Sequence, residues 1–282
     1  MTAPVTDLQP TTNPNRALWE KGDFTRIAET MRHSGEELVA SLVITPQQQV
    51  LDLGSGDGTT ALPAARRGAD VLGVDIAENL VAAGNARAKT AGLYNLKFQR
   101  GDASDLADLP DASFDLVVSI FGAMFAPRPF DVAREMVRVT KPGGRIVMGN
   151  WIPGDPTLVA QILKICSAYT PPPPEGFVSP MTWGDEAQVR ERFEAAGAVG
   201  ATFQRALWFF RHDGPPAELL AIFRDYYGPT MNAFEAAANT GREAELEAEL
   251  TALFESQNRG GDARTEIPAT FLKVTVVKDA AS

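Results

Sequence analysis

The chain has 282 residues, near the upper limit for one hydrophobic core, with 44% apolar and 22% charged residues as in ordinary globular proteins. Its 26 basic residues against 36 acidic ones leave a formal charge of −10, which argues against a surface that tracks nucleic-acid phosphates. A lone Cys166 excludes an intrachain disulfide, a paired-thiol redox motif and a cysteine-rich zinc or iron-sulfur site, and points to a reducing compartment.

Residues 1–15, MTAPVTDLQPTTNPN, have neither a basic start nor an apolar stretch and read as a disordered Thr/Pro-rich lead rather than a targeting signal. The most apolar window, 116–126, is 11 residues long, too short for a membrane span, so a cytoplasmic protein is expected. Trp19 and Phe24 suit either a lid over a bound cofactor or an amphipathic helix packed on a sheet. From 36 to 151, β-rich runs at 49–53, 71–75, 97–100, 114–120 and 145–150 alternate with helical stretches, the pattern of a parallel sheet with crossover helices. Phe130, Ala133 and Val137 recur at helical spacing, and Lys141-Pro142-Gly143-Gly144 is expected to end that helix before the fifth strand.

Beyond Trp151 the rhythm changes. A helical run at 158–168 leads to four prolines at 171–174, which favour a stiff extended segment. A helix near 185–196, a strand near 201–210, a helical stretch at 216–257 and a Val-rich strand at 271–278 follow. Within that stretch the Glu-rich run 243–250 reads as a solvated helix face with Leu246 and Leu250 turned inward. The predicted organisation is a single domain over 16–282, with a cofactor-binding core at 36–151 and insertions at 152–183 and 214–262 capping a substrate site.

The most informative segment is Val50-Leu51-Asp52-Leu53-Gly54-Ser55-Gly56-Asp57-Gly58, a buried strand running into glycines and then a helix. Glycines there let the backbone turn sharply and approach a ligand, and the helix start offers unpaired N–H groups, so a nucleotide-like cofactor is implied. The dinucleotide fingerprint would need a third glycine where Thr59 stands, and the Gly-Lys-Ser/Thr of a P-loop is absent. Asp75 and Asp102 follow the second and third strands, where an open α/β sheet binds ligands, and a carboxylate at Asp75 can accept both hydrogens of a ribose diol.

Asp52-x-Gly54-x-Gly56-x-Gly58, Asp75, Gly101-Asp102-Ala103, Phe114-Asp115-Leu116-Val117 and Lys141-Pro142-Gly143-Gly144 together resemble the successive motifs of class I S-adenosylmethionine-dependent methyltransferases. The resemblance is closest to the branch with the ubiquinone and menaquinone C-methyltransferases and covers about residues 36 to 151. It implies a Rossmann-like, doubly wound seven-stranded α/β sheet whose last strand is antiparallel, with helical cap insertions. It also implies S-adenosylmethionine as cofactor, with S-adenosylhomocysteine as product. By resemblance, Gly54, Ser55, Gly56 and Gly58 form the cradle for the methionine moiety, Asp52 helps hold its ammonium group, and Ser119 lies nearby. Asp75 takes the ribose hydroxyls, Ile76 flanks the adenine, Asp102 accepts from its amino group and Ala103 offers a backbone N–H. The implied reaction is in-line methyl transfer to a small organic acceptor, driven mainly by positioning.

Motifs that would narrow the acceptor are missing. There is no Asn/Asp-Pro-Pro-Tyr/Phe of amino-methylating DNA enzymes, no cysteine set of arsenite methyltransferases, and no acid cluster after the fourth strand for a magnesium-dependent site, so no metal and no nucleic-acid partner are expected. Phe121, Met124, Trp151, Tyr169 and Trp183 are pocket candidates, with insertion core as the alternative reading. Tyr226, Tyr227 and His33 are the candidate proton acceptors; for His33 and His212 a surface or capping role is the alternative. Two further readings stay open: a cofactor-using enzyme of another reaction type, such as cyclopropane formation, and a non-catalytic cofactor-binding module.

Overall fold

The computed structural model describes residues 15–280, so the lead expected at 1–15 lies outside the described residues except for Asn15, which opens a helix. The strands are β1 (Gln49–Leu53), β2 (Asp70–Asp75), β3 (Leu96–Arg100), β4 (Phe114–Ile120), β5 (Thr140–Trp151), β6 (Thr202–His212) and β7 (Thr265–Val277). The helices are α1 (Asn15–Glu20), α2 (Phe24–Ser41), α3 (Ala61–Arg66), α4 (Glu78–Thr90), α5 (Pro129–Val139), α6 (Leu158–Ser167), α7 (Glu186–Ala195), α8 (Pro216–Tyr226), α9 (Gly228–Asn239) and α10 (Glu243–Gln257).

All seven strands form one sheet in the order β3-β2-β1-β4-β5-β7-β6. Pairing is parallel from β3 to β5, and β7 runs antiparallel to both of its neighbours. The near-continuous apolar character of β1 and β4 follows from burial on both faces. Val50, Leu116, Val118 and Val147 pack toward α3 and α4, whereas Leu51, Leu53, Val117, Ile146 and Met148 join the larger core that includes Val132, Ala133 and Met136 of α5. Chain order reverses between β1 and β4, which opens the crevice where sheets of this kind bind ligands.

Helices α6, α8, α9 and α10 pack on one another, and α2 lies against β6 and α8. Thus the two segments read as separate insertions form a common helical layer. Leu246 and Leu250 are fully buried on α10, in agreement with the inward face expected there, and prolines 171–174 lie in an exposed stretch that is neither helix nor strand.

Three expectations need correction. The stretch 216–257 is three helices rather than one, broken at Tyr227, where the backbone turns extended, and again after Asn239 at Thr240-Gly241, where Gly241 adopts φ +70°. The last strand starts at Thr265 rather than 271, because β6 supplies eleven paired residues from Thr202 to His212 for it to follow. Lys141-Pro142-Gly143-Gly144 does not stand between α5 and β5 but lies within β5. The helix already stops at Val139, and Gly143, at φ +74°, donates to Lys278 O at 2.8 Å.

Candidate functional site

β1 delivers the chain into a turn in which Gly54, Gly56 and Gly58 have φ of +68°, +55° and +94°, a region that glycine enters without steric cost. The turn is tied to β2. Gly54 and Ser55 donate their backbone N–H groups to Val74 O at 2.7 and 3.1 Å, and Gly56 donates to Asp75 Oδ2 at 2.8 Å. Asp75 Oδ1 accepts from Ala77 N at 2.9 Å, so one carboxylate joins the glycine turn to the start of α4. Burial raises the Asp75 carboxyl above its usual range, opposed by the backbone N–H groups of Ala77, Gly56 and Ile76.

On the other side of the switch point, Ser119 Oγ donates to Leu53 O at 2.6 Å and accepts from Ala123 N at 2.9 Å, which clips the turn after β4 onto the end of β1. Phe121 then takes φ +60°, strained for a residue with a side chain, and stacks on Trp151 with ring centroids 3.7 Å apart.

These turns floor a cleft enclosing about 940 Å³ of atom-free space, counting its open mouth. Gly54, Ser55, Gly56, Asp75, Ile76 and Ala103 stand on its wall, as does Phe121. Other predicted residues are brought near it without forming the wall. Asp52 is buried behind the turn, where Thr60 Oγ1 donates to its Oδ2, and burial pushes it up to about 7. Gly58 packs on Leu62 and Phe98, where a Cβ would come within 2.3 Å of Leu62. Ser119 acts through the clip just described. Asp102 Oδ1 accepts from Ser104 N and Oγ at 2.8 and 2.7 Å, so its carboxylate shapes the turn whose flanks, Gly101 and Ala103, face the cleft.

The remaining candidates lie away from the wall. Met124, Trp151 and Trp183 belong to the core, with Arg192 4.6 Å above the Trp183 ring. Tyr169 donates its hydroxyl to Glu249 Oε1 at 2.6 Å beneath Arg242. Tyr227 is buried, 6.2 Å from Trp19 and 6.4 Å from Phe24 between ring centroids, and burial drives its hydroxyl pKa upward. Tyr226 faces Arg26. His33 and His212 pair with Glu37 and Glu218 at 3.2 and 3.1 Å.

Trp19 of α1 and Phe24 of α2, singled out in the sequence, line the outer wall of the cleft, but sequence reasoning missed the rest of it: Asn15 of α1, Ala28 and Met31 of α2, Phe125 and Ala126 after β4, and Trp208 of β6. Trp19 meets Phe24 and Phe125 edge-on at 5.5 and 4.9 Å. The Trp19 and Phe24 rings both stand on the cleft wall, and α2, which begins at Phe24, also packs against β6. Among the described residues, Asp57 and Asp75 are the only titratable side chains on the wall.

The wall fits an uncharged nucleoside joined to a polar tail. Ser55 Oγ is buried there without a hydrogen-bond partner, and the Cβ position of Gly56 meets nothing within 4 Å. Among the described residues no group of three or more His, Cys, Asp or Glu stands together as a metal site, and no helix is long and apolar enough to cross a membrane.

The glycine turn, the strand-end carboxylate and the switch-point cleft define a nucleoside-binding Rossmann-like enzyme fold. Residues 51–148 match the family described as Methyltransferase domain. The chain is 33% identical over 252 residues to the uncharacterized protein Rv1403c of Mycobacterium tuberculosis, covering 89% of this chain and 90% of that protein. It is 35% identical over 237 residues to the uncharacterized protein Rv1405c of the same organism, covering 84% of each. A similar fold is seen in phosphoethanolamine N-methyltransferase 2 of Haemonchus contortus, solved with S-adenosyl-L-methionine, at a TM-score of 0.60 and 16% identity over 95% of this chain and 61% of that one. Residues 51–148 thus form an S-adenosylmethionine-dependent methyltransferase domain, set in the class I fold.

Proposed function

We propose that the enzyme methylates a small, neutral organic acceptor seated against the aromatic outer wall of the cleft. The observation that carries this reading is the composition of that wall: Trp19, Phe24, Phe121, Phe125, Trp208 and Met31, with no cationic side chain among the described residues. An acidic acceptor would find no partner there, whereas a flat apolar one gains ring contacts and area removed from water.

When bound, S-adenosylmethionine supplies a methyl carbon on a cationic sulfur, and an acceptor lone pair in line with that bond displaces the sulfur, which keeps the bonding electrons. The residues contribute position and dryness. Asp75 holds the ribose hydroxyls, Ile76 and Ala103 flank the adenine, Asp102 braces that turn from behind, and the turn 54–58 carries the amino-acid tail with Asp52 and Thr60 beneath it. Trp19 and Phe125 cover the cleft, and their electron-rich faces favour the sulfonium charge by about 0.5–2 kcal/mol. Alignment of two held reactants can account for about 7–11 kcal/mol of barrier lowering, so a dedicated catalytic side chain is not required. No His, Lys, Tyr or Cys side chain stands on the described wall, and its two carboxylates are engaged, Asp57 by Arg32 and Asp75 by the backbone of Gly56 and Ala77, so the acceptor's proton passes to water rather than to a protein base.

The test is incubation of the purified chain with methyl-labelled S-adenosylmethionine and fractionated small metabolites, followed by mass spectrometry. A neutral apolar product heavier by one CH2 and carrying the label supports the reading. Label transferred only to charged metabolites, or cofactor consumed with a rearranged skeleton and no transfer, contradicts it.

A further inference from the structure

Asp57 is the one acid of the glycine turn that the motif reading leaves without a task. It sits between Gly56 and Gly58, both at positive φ, and its side chain is 1% exposed. Two arginines from different helices converge on it. Arg32 of α2 donates through Nη1 to Oδ1 at 2.8 Å and through Nη2 to Oδ2, and Nη1 also reaches Thr59 Oγ1 at 2.9 Å. Arg87 of α4 donates to the Asp57 backbone oxygen at 2.6 Å and lies 3.4 Å from Oδ1. A two-point guanidinium–carboxylate contact fixes orientation as well as distance, and removing one partner of such a buried pair leaves an uncompensated charge.

We propose that Asp57 is a positioning residue, through which Arg32 and Arg87 lock the cofactor turn, α2 and α4 into one preorganised unit. Three features point this way. The glycines give the turn its shape but lose more backbone freedom than other residues when fixed, so a tether acting on the free protein lowers what binding must still order. Arg32 follows directly after Met31 and lies one helical turn beyond Ala28, both on the cleft wall, so the pairing also sets the height of that wall above the turn. Finally, both carboxylate oxygens are already taken by cations, so Asp57 acts on the turn and not as an anchor for the cofactor's ammonium group.

Calorimetric titration of the full chain with S-adenosylhomocysteine tests this, comparing wild type with Asp57→Asn, Arg32→Gln and the double variant. Each single change is expected to weaken binding about tenfold, and the double variant to be no weaker than either single, because members of one network are not additive. Arg32→Lys, which keeps the charge but not the two-point contact, is expected to fall between. Unchanged or tighter binding by Arg32→Gln would overturn the proposal, since that is the result if Arg32 merely masks a carboxylate that grips the ligand. Losses that add in the double variant would overturn it too. Amide hydrogen exchange at 54–58, read without ligand in wild type and Arg32→Lys, covers the case where Asp57→Asn does not fold. Faster exchange in Arg32→Lys supports the lock, and identical exchange removes it.

Discussion

Gly54 and Gly122 meet backbone to backbone: a Cβ built on Gly122 would lie 2.4 Å from Gly54 O, and one on Gly54 would lie 2.6 Å from Gly122 Cα. The ends of β1 and β4 therefore approach closely enough to floor the cleft. Gly122 has φ −95°, which any residue adopts, so Gly122→Ala tests packing alone. Overpacking of this kind costs about 1–3 kcal/mol. A lowered midpoint in denaturant unfolding, together with weaker S-adenosylhomocysteine binding, is expected.

Asp75 joins Gly56 to Ala77 through its two oxygens. Asp75→Ala removes both contacts and the proposed ribose partner at once. Cofactor affinity should fall by about a hundredfold, the equivalent of two charge-assisted hydrogen bonds. Equal affinity in calorimetry would remove the ribose assignment.

Burial pushes Asp52 up to about 7, with the Thr60 hydrogen bond opposing and the neighbouring Asp75 charge adding to the rise. The unfolded chain releases this proton near 3.8, so Asp52 costs stability progressively as pH rises from there, and the full cost is reached above about 7. The ionised form favours a cationic ligand. Affinity for S-adenosylmethionine should therefore climb by about tenfold between about pH 6 and 8, roughly one pK unit's worth, and Asp52→Asn should flatten the profile.

Tyr226, Tyr227 and His33 stand off the cleft wall. Tyr226→Phe, Tyr227→Phe and His33→Ala should leave the turnover number at saturating acceptor unchanged. Trp19→Ala, by contrast, opens the cover and should raise the acceptor KM with little change in the melting temperature, because Trp19 is only partly buried.

The sheet and the cofactor end of the cleft were legible because their signals are local. Val50 to Gly58 carries a strand and the glycine turn in nine consecutive residues, with α3 beginning just beyond at Ala61, and Asp75 closes a strand whose apolar run is unmistakable. The outer wall was not legible for identifiable reasons. Trp208 stands in Ala206-Leu207-Trp208-Phe209-Phe210, apolar on both faces, so alternation cannot say which ring turns inward. Ala28 and Met31 precede residue 36, where the alternating pattern begins. Asp57 meets Arg32 and Arg87 at separations of 25 and 30 residues, and no periodicity encodes such a meeting. Tyr169 and Trp183 looked like pocket rings by composition, yet the cap buries them against Arg242 and Arg192.

Direct titration of the purified chain with S-adenosylmethionine, S-adenosylhomocysteine, NAD and ATP tests the central claim most closely. One molar equivalent of either sulfur-bearing nucleoside should bind, with affinity lost in Asp75→Ala, and neither pyrophosphate compound should compete. Tight binding of NAD or ATP without uptake of the other two would contradict the assignment of the glycine turn.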